Sequence, residues 1–157
     1  MQALSLGKDD YLLMYTKKWP DWYVYMENNK IGNVRGQNGD PGAKGHWKIS
    51  VAPGSTPENL LLRFSPKQWP NWFMCMDTDS TGNIIGSNGD PGPRGYWKLT
   101  DKEKTKVGDV DFEVFALSPK QWPDWYAYMV NDSQANLRGW NGDPGEQGYF
   151  MMKKIPK

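Results

Sequence analysis

The stretch WPDWYVYM, residues 19–26, returns as WPNWFMCM at 69–76 and as WPDWYAYM at 122–129. Each copy is followed at a fixed offset by Asn-Gly-Asp-Pro-Gly, so Trp19 stands to Asp40 as Trp69 does to Asp90 and Trp122 to Asp143. Blocks 17–49, 67–99 and 120–152 align without a gap, and differences in length are confined to 50–66 and 100–119. A period of about 50 residues, seen three times, is the signature of a repeat architecture. The reading is one domain, 1–157, with repeats at 11–59, 60–109 and 110–157.

Inside the quoted stretch, Trp22, Val24 and Met26 alternate with Tyr23 and Tyr25, the period of two expected of a half-buried strand. Across the copies the first face reads Trp-Val-Met, Trp-Met-Met and Trp-Ala-Met, apolar throughout, and is assigned to the core. In the first copy the strand candidates are Tyr11–Thr16, Trp22–Glu27, Asn33–Arg35 and His46–Ser50. The segments ENNKIGN, DTDSTGN and NDSQAN read as hairpin tips, and no stretch of ten or more residues has helical periodicity. The chain is therefore expected to be all-β. Twelve short strands in three units suit a β-trefoil, a closed barrel capped by hairpins, which also leaves no exposed sheet edge. The alternative is three propeller-like blades, too few to close a ring without a second chain.

The loops NGDPGAKG (38–45), NGDPGPRG (88–95) and NGDPGEQG (141–148) have glycine at every third place. Collagen needs that pattern over long stretches, so these are turns. Asn-Gly supplies positive φ, and Asp-Pro opens a bend. Each loop leads into an aromatic pair: His46-Trp47, Tyr96-Trp97 and Tyr149-Phe150. Backbone geometry explains the prolines and glycines. The repeated polar residues are a separate matter: Asn33, Asn38 and Asp40, then Asn83, Asn88 and Asp90, then Asn136, Asn141 and Asp143. Such side chains often cap their own backbone. A carboxylate and an amide beside an aromatic plane also suit a neutral sugar, whose hydroxyls they bond while the ring covers the C–H face. The candidate carbohydrate-binding residues are therefore Trp19, Asn38 and Asp40, Trp69, Asn88 and Asp90, and Trp122, Asn141 and Asp143.

The three W-P-[DN]-W-[YF] strands, the three N-G-D-P-G loops and the aromatics Trp47, Trp97 and Phe150 give this chain a plan that resembles the β-trefoil lectins, particularly small invertebrate lectins of three near-identical subdomains. The likeness covers almost the whole chain. The Gln-x-Trp signature of ricin-type trefoils is absent, its place being taken by Gly-His-Trp, Gly-Tyr-Trp and Gly-Tyr-Phe. The resemblance implies glycans or glycoconjugates as partners, with galactose or N-acetylgalactosamine the commonest ligands, and agglutination through multivalency. The other reading is a protein-binding trefoil, cytokine-like or actin-bundling.

Other chemistry finds little support. The net charge of +1 argues against a nucleic-acid or anionic-membrane partner. No apolar run approaches the ~18 residues of a spanning helix, so no membrane insertion is expected. The lone histidine, His46, has Tyr96 and Tyr149 as counterparts, and Cys75 stands where the other copies have tyrosine, so no catalytic centre is repeated and the chain is read as non-enzymatic. DTDSTGN reads as a solvated hairpin tip, and neither a metal nor a cofactor is expected. The run Asp101–Lys106, mixed in sign, reads as a solvated loop. MQALSLGKDD shows no charged and then apolar leader, which leaves both secretion and the cytoplasm open, as self-association also is. The second repeat has Ile85 for Arg35 and Arg138, and Ser87 for Gln37 and Trp140, so its site is expected to lose a charged donor and a bulky neighbour and to be weaker or different in preference.

Overall fold

A computed structural model describes residues 10–107, 110–132 and 134–155. The strands are β1 (Leu12–Thr16), β2 (Trp22–Met26), β3 (Val34–Asn38), β4 (Trp47–Val51), β5 (Leu61–Pro66), β6 (Trp72–Met76), β7 (Ile84–Asn88), β8 (Trp97–Val107), β9 (Val110–Pro119), β10 (Trp125–Met129), β11 (Leu137–Asn141) and β12 (Phe150–Lys154). Six of them, in the order β1-β4-β5-β8-β9-β12, pair antiparallel, and β12 closes back onto β1 from Leu12↔Lys154 to Thr16↔Phe150. The remaining strands form the hairpins β2–β3, β6–β7 and β10–β11. This is the β-trefoil. The closed ring excludes the propeller alternative.

The quoted stretch behaves as its alternation requires. Val24, Met26, Met74, Met76, Ala127 and Met129 are buried in one core cluster, with Trp22, Trp72 and Trp125 half-buried against it. Trp47, Trp97 and Phe150, which open the fourth strand of each repeat, are fully buried. Two of these rings also tie barrel to cap: Trp47 Nε1 donates to the Val24 carbonyl and Trp97 Nε1 to that of Met74, each at 2.9 Å.

The hairpins lean on one another in a cycle around the pseudo-threefold axis. A Cβ on Gly86 would lie 2.9 Å from Trp72 Cε3 of its own hairpin and 2.8 Å from Met26 Sδ of the neighbouring one, so glycine gives both side chains their room. Three backbone bonds complete the ring. Gly36 N–H donates to the Ala135 carbonyl at 2.8 Å, Gly86 N–H to that of Ile31 at 3.1 Å, and Gly139 N–H to that of Gly82 at 2.6 Å.

Two local expectations need correction. The third strand runs Val34–Asn38 and not Asn33–Arg35, because β2 and β3 stay in register through Trp22↔Asn38 and the turn residues enter the ladder. The run Asp101–Lys106 is not a solvated loop. It lies in β8, where pairing with β9 supplies its backbone with ladder partners, and a β-bulge between Asp101 and Glu103 leaves Lys102 unpaired.

Candidate functional site

Each Asn-Gly-Asp-Pro-Gly loop bends into a short 3₁₀ turn: Gly42–Lys44, Gly92–Gly95 and Gly145–Gly148. The aspartate opens it. Asp40 Oδ1 accepts from Gly42 N–H at 2.9 Å and Asp143 Oδ1 from Gly145 N–H at 2.9 Å, while the bond from Gly92 N–H to Asp90 is longer, at 3.4 Å. Gly42 has φ +73°, where a side chain would be strained. A Cβ on Gly45 would fall 2.2 Å from Pro41 Cγ. Geometry thus accounts for the glycines and for one lone pair of each aspartate.

A carboxylate offers about four acceptor positions, and a second one is engaged in every repeat by the residue six places on. His46 Nε2 is 2.8 Å from Asp40 Oδ1, the Tyr96 hydroxyl donates to Asp90 Oδ2 at 2.7 Å, and the Tyr149 hydroxyl lies 2.8 Å and 2.9 Å from the two oxygens of Asp143. The three carboxylate side chains remain 60%, 46% and 54% exposed. The Gly42 N–H, and after it the His46 ring, holds the Asp40 carboxyl below its usual range; Gly145 N–H and Tyr149 do the same for Asp143. Reciprocally, the bonded carboxylates push the phenols of Tyr96 and Tyr149 up.

In the second and third repeats a cation and an aromatic ring complete the arrangement. Lys102 Nζ is 3.5 Å from Asp143 Oδ2, and lies 5.7 Å and 5.8 Å from the ring centres of Tyr126 and Tyr149. The bulge in β8 is the device that re-aims it. Arg63 of β5 is 3.6 Å from Asp90 and 5.0 Å from the ring centre of Phe73. In the first repeat, Lys153 of β12 acts electrostatically on Asp40. Two unlike strand positions, on β5 and β8, therefore place a cation 3.6 Å and 3.5 Å from equivalent carboxylates. Duplication alone does not produce that.

The sequence-nominated residues are placed as follows. Asp40, Asp90 and Asp143 sit exposed in equivalent loops. Asn38, Asn88 and Asn141 are exposed at strand ends directly opposite Trp22, Trp72 and Trp125. Tyr23, Phe73 and Tyr126 instead face Gln37, Ser87 and Trp140. Trp19, Trp69 and Trp122 are half-buried against the core, and Trp19 lines a separate cavity of about 90 Å³ with Trp22, Met129 and Ala135. The ring donors His46, Tyr96 and Tyr149 were not nominated, although their aromatic character at one repeat position was visible. Arg63 and Lys102 lie in the stretches of unequal length, where alignment of the copies gives no signal.

The expected loss of a charged donor from the second site is corrected. Arg35 and Arg138 pair across from Tyr25 and Tyr128 and line a cavity formed by all three hairpins, away from the aspartate loops, and Arg63 serves Asp90. Cys75 is fully buried, and that burial pushes its thiol up to about 11, so it stays a neutral core group.

No known family profile matches the chain. A 42-residue segment is 48% identical to Toxin CfTX-A of Chironex fleckeri, and a 43-residue segment is 44% identical to Toxin CfTX-B of the same animal. Each match covers 27% of this chain and 9% of the toxin, so the similarity is local and about one repeat long. Among solved structures, a mosquitocidal holotoxin superposes with TM-score 0.75 at 11% identity, covering 97% of this chain and 18% of that one. The BEL β-trefoil superposes with TM-score 0.72 at 10% identity over 97% of both chains. The Rhizoctonia solani agglutinin does so with TM-score 0.64 at 10% identity over 98% of this chain and 99% of that one. At these identities the likeness is one of fold, and it is the β-trefoil.

Proposed function

We propose that this chain is a carbohydrate-binding lectin with three pseudo-equivalent sites, one at each Asn-Gly-Asp-Pro-Gly loop. The observation that carries the reading is the aspartate held three times between a backbone N–H and a ring donor and left about half exposed. Its exposed edge would accept from a sugar hydroxyl. Asn38, Asn88 and Asn141, close by in sequence, would extend the polar edge, and Tyr126 or Phe73 beside the cation would cover the apolar sugar face. Trp19, Trp69 and Trp122 would frame the loop from behind. Galactose-type sugars are the first class to test. The fold it shares with the Rhizoctonia solani agglutinin supports the reading.

Shallow sites of this kind are weak singly, and three on one chain gain by avidity against clustered glycans. The test is a glycan array probed with purified protein, each hit then competed with free monosaccharides. Binding abolished by one monosaccharide class is the expected result. No binding by folded protein would overturn the reading in favour of a protein partner.

A further inference from the structure

Three repeated asparagines take no part in the aspartate loops. Asn33, Asn83 and Asn136 stand at the entries of β3, β7 and β11, and together with Arg35 and Arg138 they line a cavity of about 190 Å³ where the three hairpins meet. The buried residues Val34, Ile84 and Leu137 belong to the same lining. The position is fixed, because the ring of backbone bonds through Gly36, Gly86 and Gly139 locks the hairpins together one residue past each strand's second position.

The polar groups there are only partly used. Arg35 Nε donates to Asn136 Oδ1 at 2.8 Å, and its Nη1 lies 3.4 Å from Glu27 Oε2. Asn136 Nδ2 donates to Gln134 Oε1 at 3.2 Å. Among the described residues, the side-chain amides of Asn33 and Asn83 have no hydrogen-bond partner, and no carboxylate pairs with Arg138. The turn-capping role that would explain Asn33 is filled instead by Asn29, whose Oδ1 takes the N–H groups of Ile31 and Gly32 at 3.1 Å and 2.6 Å. Three amides and two guanidiniums around an approximate threefold axis, with one acidic neighbour, make a donor-rich basin of net positive charge.

We infer that this basin is a binding site for a tetrahedral oxyanion, a sulfate or phosphate group, either free or as a monoester on a sugar. Such a group presents three terminal oxygens about its own threefold axis, which matches one amide from each hairpin. Guanidiniums suit its charge and fork geometry. The volume is below the range of about 300–1,000 Å³ typical of whole drug-sized ligands, so the basin takes a single charged group and not an oligosaccharide. Ile85 occupies the position equivalent to Arg35 and Arg138, which leaves one sector without a cation. The inference does not rest on the aspartate loops.

The test is a titration of the whole chain with inorganic sulfate, inorganic phosphate, galactose 6-sulfate and plain galactose, followed by amide chemical shifts. The expected result is saturable movement of the amides at 33–36, 83–86 and 136–139 with the three oxyanions and none there with galactose. Equal response to the free ions and the ester assigns the site to the oxyanion itself; response to the ester alone assigns it to a sulfated sugar. Arg138→Gln, at an exposed residue, should weaken binding about tenfold, the loss of one charged hydrogen bond. Ile85→Arg should tighten it by a similar factor. Asp143→Ala should leave oxyanion affinity unchanged, which separates this site from the proposed sugar loops. No movement of the axial amides, the same movement with galactose, or indifference to Arg138→Gln would each overturn the inference.

Discussion

At the scale of single residues, the aspartates of the loops do two things that sequence cannot separate. Each caps its own turn, which is reason enough to repeat it. Each also remains about half exposed, and a cap alone does not need that. The cap was foreseeable from Asp-Pro-Gly; the ring donor was not, because His46, Tyr96 and Tyr149 look like core-strand aromatics until the turn folds them over the carboxylate. These bonds set a pH window. The Asp143 carboxyl lies below its ordinary 3.8 in the folded chain, so the stabilisation it gives is present above 3.8 and is lost as pH falls through the lowered value. The Tyr149 phenol lies above its ordinary 10.0, so its contribution is complete below 10.0 and is lost only as pH rises through the raised value. Sugar affinity at the third loop, measured by titration calorimetry across pH, should therefore be level between these limits and change only in stronger acid or stronger base. A fall that began well inside the window would show that some other group carries the binding.

Among the elements, the cap hairpins were legible because their alternation of Trp-x-Val-x-Met with tyrosines has one physical reading, and the strand register follows it pair by pair. The long β8–β9 hairpin was not. Its segment Asp101–Lys106 has no apolar alternation, and its strand character comes from pairing with β9, a tertiary gain that overrides local composition. The same hairpin carries the bulge that aims Lys102, so the part least readable in the sequence is also the part that individualises the third loop. The bond from Trp47 on β4 to the Val24 carbonyl on β2 makes a separate claim about how barrel and cap are joined. Trp47→Phe keeps most of the ring but leaves a buried carbonyl unpaired, which costs about 1–3 kcal/mol. Chemical denaturation should show that loss, with the slope of the transition unchanged. Stability equal to the parent would mean that Trp47 contributes by packing alone, as Phe150 does at the equivalent place.

For the molecule as a whole, threefold repetition has two consequences that pull apart. Around the barrel it produces three equivalent loops, each with its own aspartate and two of them with a cation from a barrel strand, which suits a surface that engages several sugars at once. On the axis it brings three copies of one asparagine into a single basin. The first was visible by aligning the copies. The second requires knowing that the hairpins converge, since nothing in Asn33, Asn83 or Asn136 taken singly points to a shared space. The departures from symmetry then sort themselves by place: Ser87 and Trp140 alter individual loops, whereas Ile85 alters the axis. The proposed function requires that each loop bind sugar independently. The decisive measurement is titration calorimetry with the monosaccharide that competes on the array, on the parent chain and on Asp40→Ala, Asp90→Ala and Asp143→Ala singly and together. Three sites per chain, one lost with each substitution and none left in the triple variant, is the expected result. A single site per chain, or undiminished binding by a folded triple variant, would contradict it.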